Sequence, residues 1–90
     1  MGFRIDFERS AEKDLDGLGA TAARRILIFL HRRLARLDDP RSLGEALKGP
    51  DFAGLWKYRV GDDRIIARIQ DREVVIVVVR ICNRREVYRR

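Results

Sequence analysis

Six consecutive β-branched residues, Val74-Val75-Ile76-Val77-Val78-Val79, constrain this chain more than any other segment. Stiff side chains favour an extended backbone, and a run without polar alternation predicts a strand covered on both faces. Arg80-Ile81-Cys82-Asn83 and then Arg84-Arg85-Glu86-Val87-Tyr88-Arg89-Arg90 follow it, so a basic segment with a tyrosine leaves the sheet from a rigid base. Guanidinium groups beside a phenol suit a polyanion and a proton transfer, which points to phosphate chemistry on RNA or DNA.

The other elements must pack around that strand within 90 residues, the size of one domain spanning 1–90. Phe3-Arg4-Ile5-Asp6-Phe7 alternates as a half-buried strand does. Ser10 is positioned to cap a helix from Ala11 to about Leu18, which Gly17 and Gly19 break. After a second candidate cap at Thr21, Ile26, Leu27, Leu30, Leu34 and Leu37 recur at helical spacing until Asp38-Asp39-Pro40. The opposite face of this helix of roughly four turns carries Arg24, Arg25, Arg32, Arg33 and Arg36, which the ordinary reading assigns to solvent. Residues 41–54 hold Gly44, Gly49, Pro50 and Gly54 among the anchors Leu43 and Leu47 and read as an ordered loop. Strands are expected at Leu55 to Val60 and Arg64 to Gln70 about a Gly61-Asp62-Asp63 turn, then at 74–79, with a short terminal strand over 84–88. The fold class is therefore α+β: an N-terminal strand and a two-helix hairpin on a mainly antiparallel sheet of about four strands.

Charge narrows the function. Residues 1–52 hold ten basic and nine acidic groups, whereas residues 53–90 hold ten and five, so the second half faces an anion. Seventeen of the twenty basic residues are arginine, whose planar fork grips phosphate bidentately. His31 is the only histidine and lies mid-helix, which removes a two-histidine nuclease, a zinc site and a Ser-His-Asp triad. The acidic pairs Asp38-Asp39 and Asp62-Asp63 sit in turns, and no metal site or cofactor is expected. A nuclease built from this chain must work with arginine, lysine, tyrosine or a lone carboxylate. Single Cys82 excludes an internal disulfide, the start Met1-Gly2-Phe3-Arg4 lacks a signal-peptide pattern, and no apolar run approaches a membrane span, so a cytoplasmic location is expected. Strand alternation puts Lys57 and Arg59 on one face and Trp56, Tyr58 and Val60 on the other; Arg64, Ile66 and Arg68 share a face, as do Arg84, Glu86 and Tyr88. Glu86 reads as an ion-pair partner and Trp56 as core or partner-facing.

A strand, a helical hairpin, Leu47-Lys48-Gly49, then Leu55-Trp56-Lys57-Tyr58-Arg59-Val60-Gly61-Asp62-Asp63-Arg64-Ile65-Ile66 and Asn83-Arg84-Arg85-Glu86-Val87-Tyr88, in that order and spacing, resemble the RelE/ParE toxin superfamily, particularly its RelE branch. The resemblance covers nearly the whole chain and implies the RelE-like fold. It implies a toxin of a type II toxin–antitoxin system: a ribosome-dependent endoribonuclease that cleaves mRNA in the decoding site and is held inactive by a RelB-like antitoxin, without membrane contact and without direct DNA binding in the antitoxin's absence. Carried over by position, the catalytic residues are Lys57 on the phosphate, Arg64 and Arg84 on the transition state, and Tyr88 stacking on a base or activating the attacking hydroxyl. Arg59 and Arg85 are expected as RNA-backbone contacts.

The implied reaction is attack of an RNA 2′-hydroxyl on its own 3′-phosphate, giving a 2′,3′-cyclic phosphate and a 5′-hydroxyl without a metal. Free lysine and tyrosine ionise near about pH 10, so the general base is left unassigned. Three positions depart from the family pattern: Leu55 where a second lysine occurs, Asp63 where an aromatic is common, and Asn83 where relatives with the same ending carry histidine. Two rivals stand beside the nuclease: a ParE-like DNA gyrase poison, and a weakened toxin acting with its antitoxin in operon autoregulation. The apolar run also requires a cover on the sheet face that the helices leave open, for which an antitoxin segment is the preferred occupant.

Overall fold

A computed structural model describes residues 2–83; Arg84, Arg85, Glu86 and Tyr88, with the expected terminal strand, lie outside the described residues. The strands are β1 (Arg4–Phe7), β2 (Glu45–Ala46), β3 (Leu55–Val60), β4 (Asp63–Gln70) and β5 (Val75–Asn83), in one sheet of spatial order β1-β5-β4-β3-β2. The α+β class holds, with five strands instead of about four, and all pairings are antiparallel except β1 with β5. Helix α1 (Arg9–Gly17) and helix α2 (Ala20–Ile28) cover one face. Ile26, Leu30 and Leu34 on the α2 side meet Tyr58, Val60, Ile65, Ala67, Ile76, Val78 and Ile81 of the sheet, with Ala11 of α1 closing the core.

The helix starts differ from the sequence reading for local reasons. Helix α1 begins at Arg9, and Ser10 lies inside it, where its hydroxyl donates to the Val79 carbonyl at 2.8 Å. Gly19, at φ 90°, makes the break and caps α2, which leaves Thr21 within the helix. The expected four-turn helix is α-helical only to Ile28; a π turn at Phe29–Arg33 and a 3₁₀ turn at Leu34–Arg36 complete it. Leu30, Leu34 and Ala35 stay buried through that change, and the Ala35 carbonyl accepts from the Phe3 amide at 2.7 Å, tying the start of the chain to the helix end.

Strand β5 is bulged. Ile66 pairs with Arg80 and Ala67 with Val78, so Val79 has no counterpart on β4, and the helix-facing set passes from Ile76 and Val78 to Ile81. Beyond Phe7, where β1 stops, α1 takes over the outer edge of β5: Asp14 Oδ2 accepts from the Ile81 amide at 2.9 Å and from Arg80 Nε at 2.7 Å. The two-faced burial expected of the β-branched run holds in part, since Val75, Ile76 and Val78 are buried while Val77 and Val79 are half-buried.

The segment expected as a loop at 41–54 instead contains β2 and two short 3₁₀ turns, Pro40–Leu43 and Pro50–Phe52. Two contacts fix the first turn. The buried Tyr58 hydroxyl donates to the Pro40 carbonyl at 2.9 Å, and Arg41 Nη2 donates to Asp71 Oδ2 at 2.6 Å. At Gly44 a Cβ would lie 2.7 Å from Tyr58 Cε1, so the ring leaves room only for glycine there.

Val74 is not part of the strand: it closes the β4–β5 turn at φ 54°, a left-handed conformation that costs L-residues about 1–2 kcal/mol. Its amide donates to the Asp71 carbonyl and its carbonyl accepts from the Arg4 amide, so the turn and the start of β1 hold the strain in place. Because the side chain is exposed, Val74→Asn loses little burial and gains a residue tolerant of this geometry. We expect stabilisation by about 1 kcal/mol, a rise in Tm of roughly 4–8 °C by thermal denaturation; an unchanged or lower Tm contradicts the strained turn.

Burial pushes the Tyr58 phenol up to about 12, with nearby Asp39 adding to the rise and Arg41 opposing it. Folding therefore favours the neutral phenol. Its contribution is intact below about pH 10, the unfolded value, and is lost as pH rises toward 12. In a Tyr88→Phe background, phenolate absorbance should appear in the folded protein well above pH 10 and coincide with loss of near-ultraviolet dichroism. Titration at about pH 10 without unfolding would contradict the buried hydrogen bond.

Candidate functional site

Strand alternation that turns Tyr58, Val60 and Ile65 toward the helices turns Lys57, Arg59 and Arg64 to the opposite, open face of the sheet. Register brings these cations together. Arg59 pairs directly with Arg64 across β3 and β4, and Lys57 sits two residues along β3 and opposite Glu45 of β2. Leu43 and Glu45 complete the lining of a cleft of about 290 Å³, near the lower end of the roughly 300–1,000 Å³ usual for small-ligand sites.

The electrostatics of this cleft favour an anion. Like charges directly opposite on a sheet are destabilising, and no ion pair with a described residue relieves either Arg59 or Arg64. Arg64 Nη1 makes a 3.3 Å hydrogen bond to the Asp63 carbonyl, which steadies the guanidinium without neutralising it. Lys57 Nζ lies 3.4 Å from Glu45 Oε1, but Glu45 is 78% exposed, and a solvated pair of this kind contributes only about 0–1 kcal/mol. A phosphate could therefore displace Glu45 from Lys57 at little cost and bridge the arginines bidentately.

Of the residues singled out in the sequence, Lys57, Arg59 and Arg64 converge, while Arg84, Arg85 and Tyr88 lie outside the described residues. Arg68 shares their strand face but is engaged elsewhere, with its Nη2 2.8 Å from Glu8 Oε2. Glu45 was missed: it falls in a two-residue strand too short to show a period, inside a glycine- and proline-rich segment. Leu55, where the family pattern offers a second lysine, is half-buried on β3 opposite Arg68 and does not line the cleft.

The other two departures answer each other. Asp63 and Asn83 are cross-strand partners at the root of the C-terminal segment, and Asn83 Nδ2 donates to Asp63 Oδ1 at 3.3 Å. Asp63 is the buried charged residue among those described, on the helix-facing side with Ile65. Asn83 borders a separate hollow with Lys13, Asp14, Gly17, Leu18 and Ile81, and the cationic cleft does not include it. Among the described residues, the lining of that cleft is Leu43, Glu45, Lys57, Arg59 and Arg64, and Asn83 stands apart from it.

Comparison with known proteins places this architecture. Residues 5–88 match the family model described as the ParE toxin of type II toxin–antitoxin systems. Toxin RelG of Mycobacterium tuberculosis is 29% identical over 90 residues, with both chains fully covered. A chain of the crystal structure of the RelBE2 toxin–antitoxin complex from the same organism superposes with a TM-score of 0.84 at 25% identity, covering 92% of each chain. A chain of the archaeal RelE–RelB complex from Pyrococcus horikoshii gives a TM-score of 0.73 at 25% identity, covering 97% of this chain and 100% of that one. The sheet order, the helical hairpin and a match across nearly the whole length lead to one conclusion: this chain belongs to the RelE/ParE superfamily and is a toxin of a type II toxin–antitoxin system.

Proposed function

We propose that this toxin is a ribosome-dependent endoribonuclease that cleaves mRNA through attack of a 2′-hydroxyl on the adjacent phosphate. The observation that carries the reading is the facing pair Arg59 and Arg64, with Lys57 and Glu45 beside it, in one open cleft on the sheet. A scissile phosphate held there places Arg64 against the charge that grows on the phosphorane, an electrostatic contribution that is often the largest in catalysis. Glu45, the carboxylate of the cleft, can take the 2′-hydroxyl proton as general base. The 2′-oxygen–phosphorus bond forms, the 5′-oxygen–phosphorus bond breaks, and the departing oxygen receives a proton from an acid for which Lys57 is the candidate in the cleft. A lining of three cations and one carboxylate repels a divalent ion, which supports a route without metal. Arg84 and Tyr88 are assigned by family resemblance as further catalytic groups, and Arg85 with Arg59, by their charge, as backbone contacts.

The partners follow from the same reading. Solved relatives include the RelBE2 toxin–antitoxin complex and the archaeal RelE–RelB complex, and a RelB-like antitoxin is the partner we assign to this chain. Action on a translating ribosome requires a cytoplasmic location; among the described residues no helix is long and apolar enough to cross a membrane.

Primer extension on translated mRNA after induction tests the proposal. Wild-type protein should give codon-positioned cuts. Arg64→Ala should reduce the single-turnover rate by about 10²–10³-fold, and Glu45→Gln by about 10²–10⁴-fold, with less effect on ribosome binding. Full activity in Glu45→Gln removes it as the base; full activity in Arg64→Ala sinks the cleft as the site. The family model named for ParE favours a second reading, a gyrase poison, which gyrase-dependent DNA damage without mRNA cuts would establish.

A further inference from the structure

We infer that Asp63 and Asn83 form a clamp that sets the chain beyond residue 83 relative to Arg64, which makes both of them positioning residues for the reaction; the inference rests on the nuclease reading above. Asp63 is the first residue of β4 and Asn83 the last of β5, and they face each other on the final rung between the two strands. The Asp63 carboxylate accepts from Asn83 Nδ2 at 3.3 Å, and the Asp63 carbonyl accepts from Arg64 Nη1 at 3.3 Å. One residue thus grips both a guanidinium of the cleft and the residue that immediately precedes Arg84. Alternation puts the Asp63 and Asn83 side chains on the helix-facing side, with Ile65 and Ile81, while Arg64 turns to the open face. Neither member of the pair lines the cleft, so each acts through its neighbours and not on the substrate.

For stability alone, this pair is a costly way to close a sheet. Asp63 is 5% exposed, its hydrogen-bond partner is a neutral amide, and no ion pair with a described residue balances its charge. A buried carboxylate is unfavourable unless it is well paired, and two apolar side chains of similar size would close the rung at least as firmly. What an apolar pair lacks is direction: a hydrogen bond fixes both the separation and the angle of its two groups, whereas methyl groups slide past one another. Strand ends open more readily than strand centres. Asp14 already holds the outer side of β5 at the Ile81 amide, and the Asp63 bond supplies the inner hold two residues further along. Placement at this point matters because a displacement of about 1 Å costs on the order of 100-fold in rate. Arg64 stands next to the clamp on β4, opposite Cys82, and Arg84 and Tyr88 follow it in the chain.

The test separates placement from stability. In the full chain, Asp63→Leu with Asn83→Leu removes the bond and the buried charge together, and Asp63→Asn with Asn83→Asp exchanges donor and acceptor across the same rung. The apolar pair should equal or exceed the wild-type Tm. It should bind programmed ribosomes within about twofold of wild type, yet cleave mRNA about tenfold or more slower in single turnover. Because that variant removes a negative charge near an anion site, weaker electrostatics cannot account for the loss. The exchanged pair should recover the rate to within about threefold. A wild-type rate in the apolar pair overturns the inference, and so does an exchanged pair as slow as the apolar one. If the apolar pair does not fold, Asn83→Asp alone takes its place: it sets two carboxylates face to face and should slow cleavage, and adding Asp63→Asn must restore the rate. Hydrogen exchange at the Cys82 amide, opposite Arg64, scores no cut and is followed in the same variants. It should quicken about tenfold or more in the apolar pair and return to the wild-type value in the exchanged one. Wild-type protein that cuts no mRNA sinks the nuclease reading; unchanged exchange at Cys82 in the apolar pair overturns the clamp by itself.

Discussion

Strand β5 would present a long, unbroken apolar edge if β1 alone covered it, because β1 pairs with only its first half. The bulge at Val79 resolves this. It turns the strand at the point where β1 ends, frees the Val79 carbonyl for Ser10, and lets Asp14 accept the Ile81 amide, so a helix completes the edge that a short strand begins. The same extra residue re-phases the strand and keeps Ile81 in the core after Val78. Without it, Ile81 would face solvent and Arg80 would be driven toward the apolar layer, and the position at which the C-terminal segment leaves the sheet would shift with them.

From that anchored centre the candidate site follows by adjacency. Strand β4 is held along its whole length by β5, β3 by β4, and the two-residue β2 by β3. Arg64 and Arg59 consequently sit on backbone that is hydrogen-bonded on both sides or close to it, which fixes two like charges face to face. A well-fastened sheet can hold such a pair, and an anion in the cleft would relieve it.

Much of this was legible in the sequence. The β-branched run located β5, alternation separated Lys57 and Arg59 from Tyr58, and the order of motifs named the superfamily. Features resting on contacts between distant segments were not legible. The Val79 bulge depends on where β1 stops, and the left-handed turn at Val74 is imposed by bonds to Asp71 and Arg4 against a valine's own preference. Ser10 resembles a cap in isolation but spends its hydroxyl on β5, 69 residues away. Asp63 and Asn83, each a departure from the family pattern alone, become intelligible as a hydrogen-bonded pair only once register is known. Glu45 escaped notice because its neighbourhood reads as loop.

Strand β2 also closes the sheet on the side away from β1, and there it is no more than two residues long with both exposed. A short edge bearing a charge is one way proteins discourage their sheets from recruiting strands of other molecules. Glu45 therefore stands in two places at once, on the lining of the cleft and on an edge that its charge guards. A lineage in which the cleft lost its use would still be penalised for losing this carboxylate, so its persistence among relatives would be a poor witness to activity, and arginines 59 and 64 the better ones.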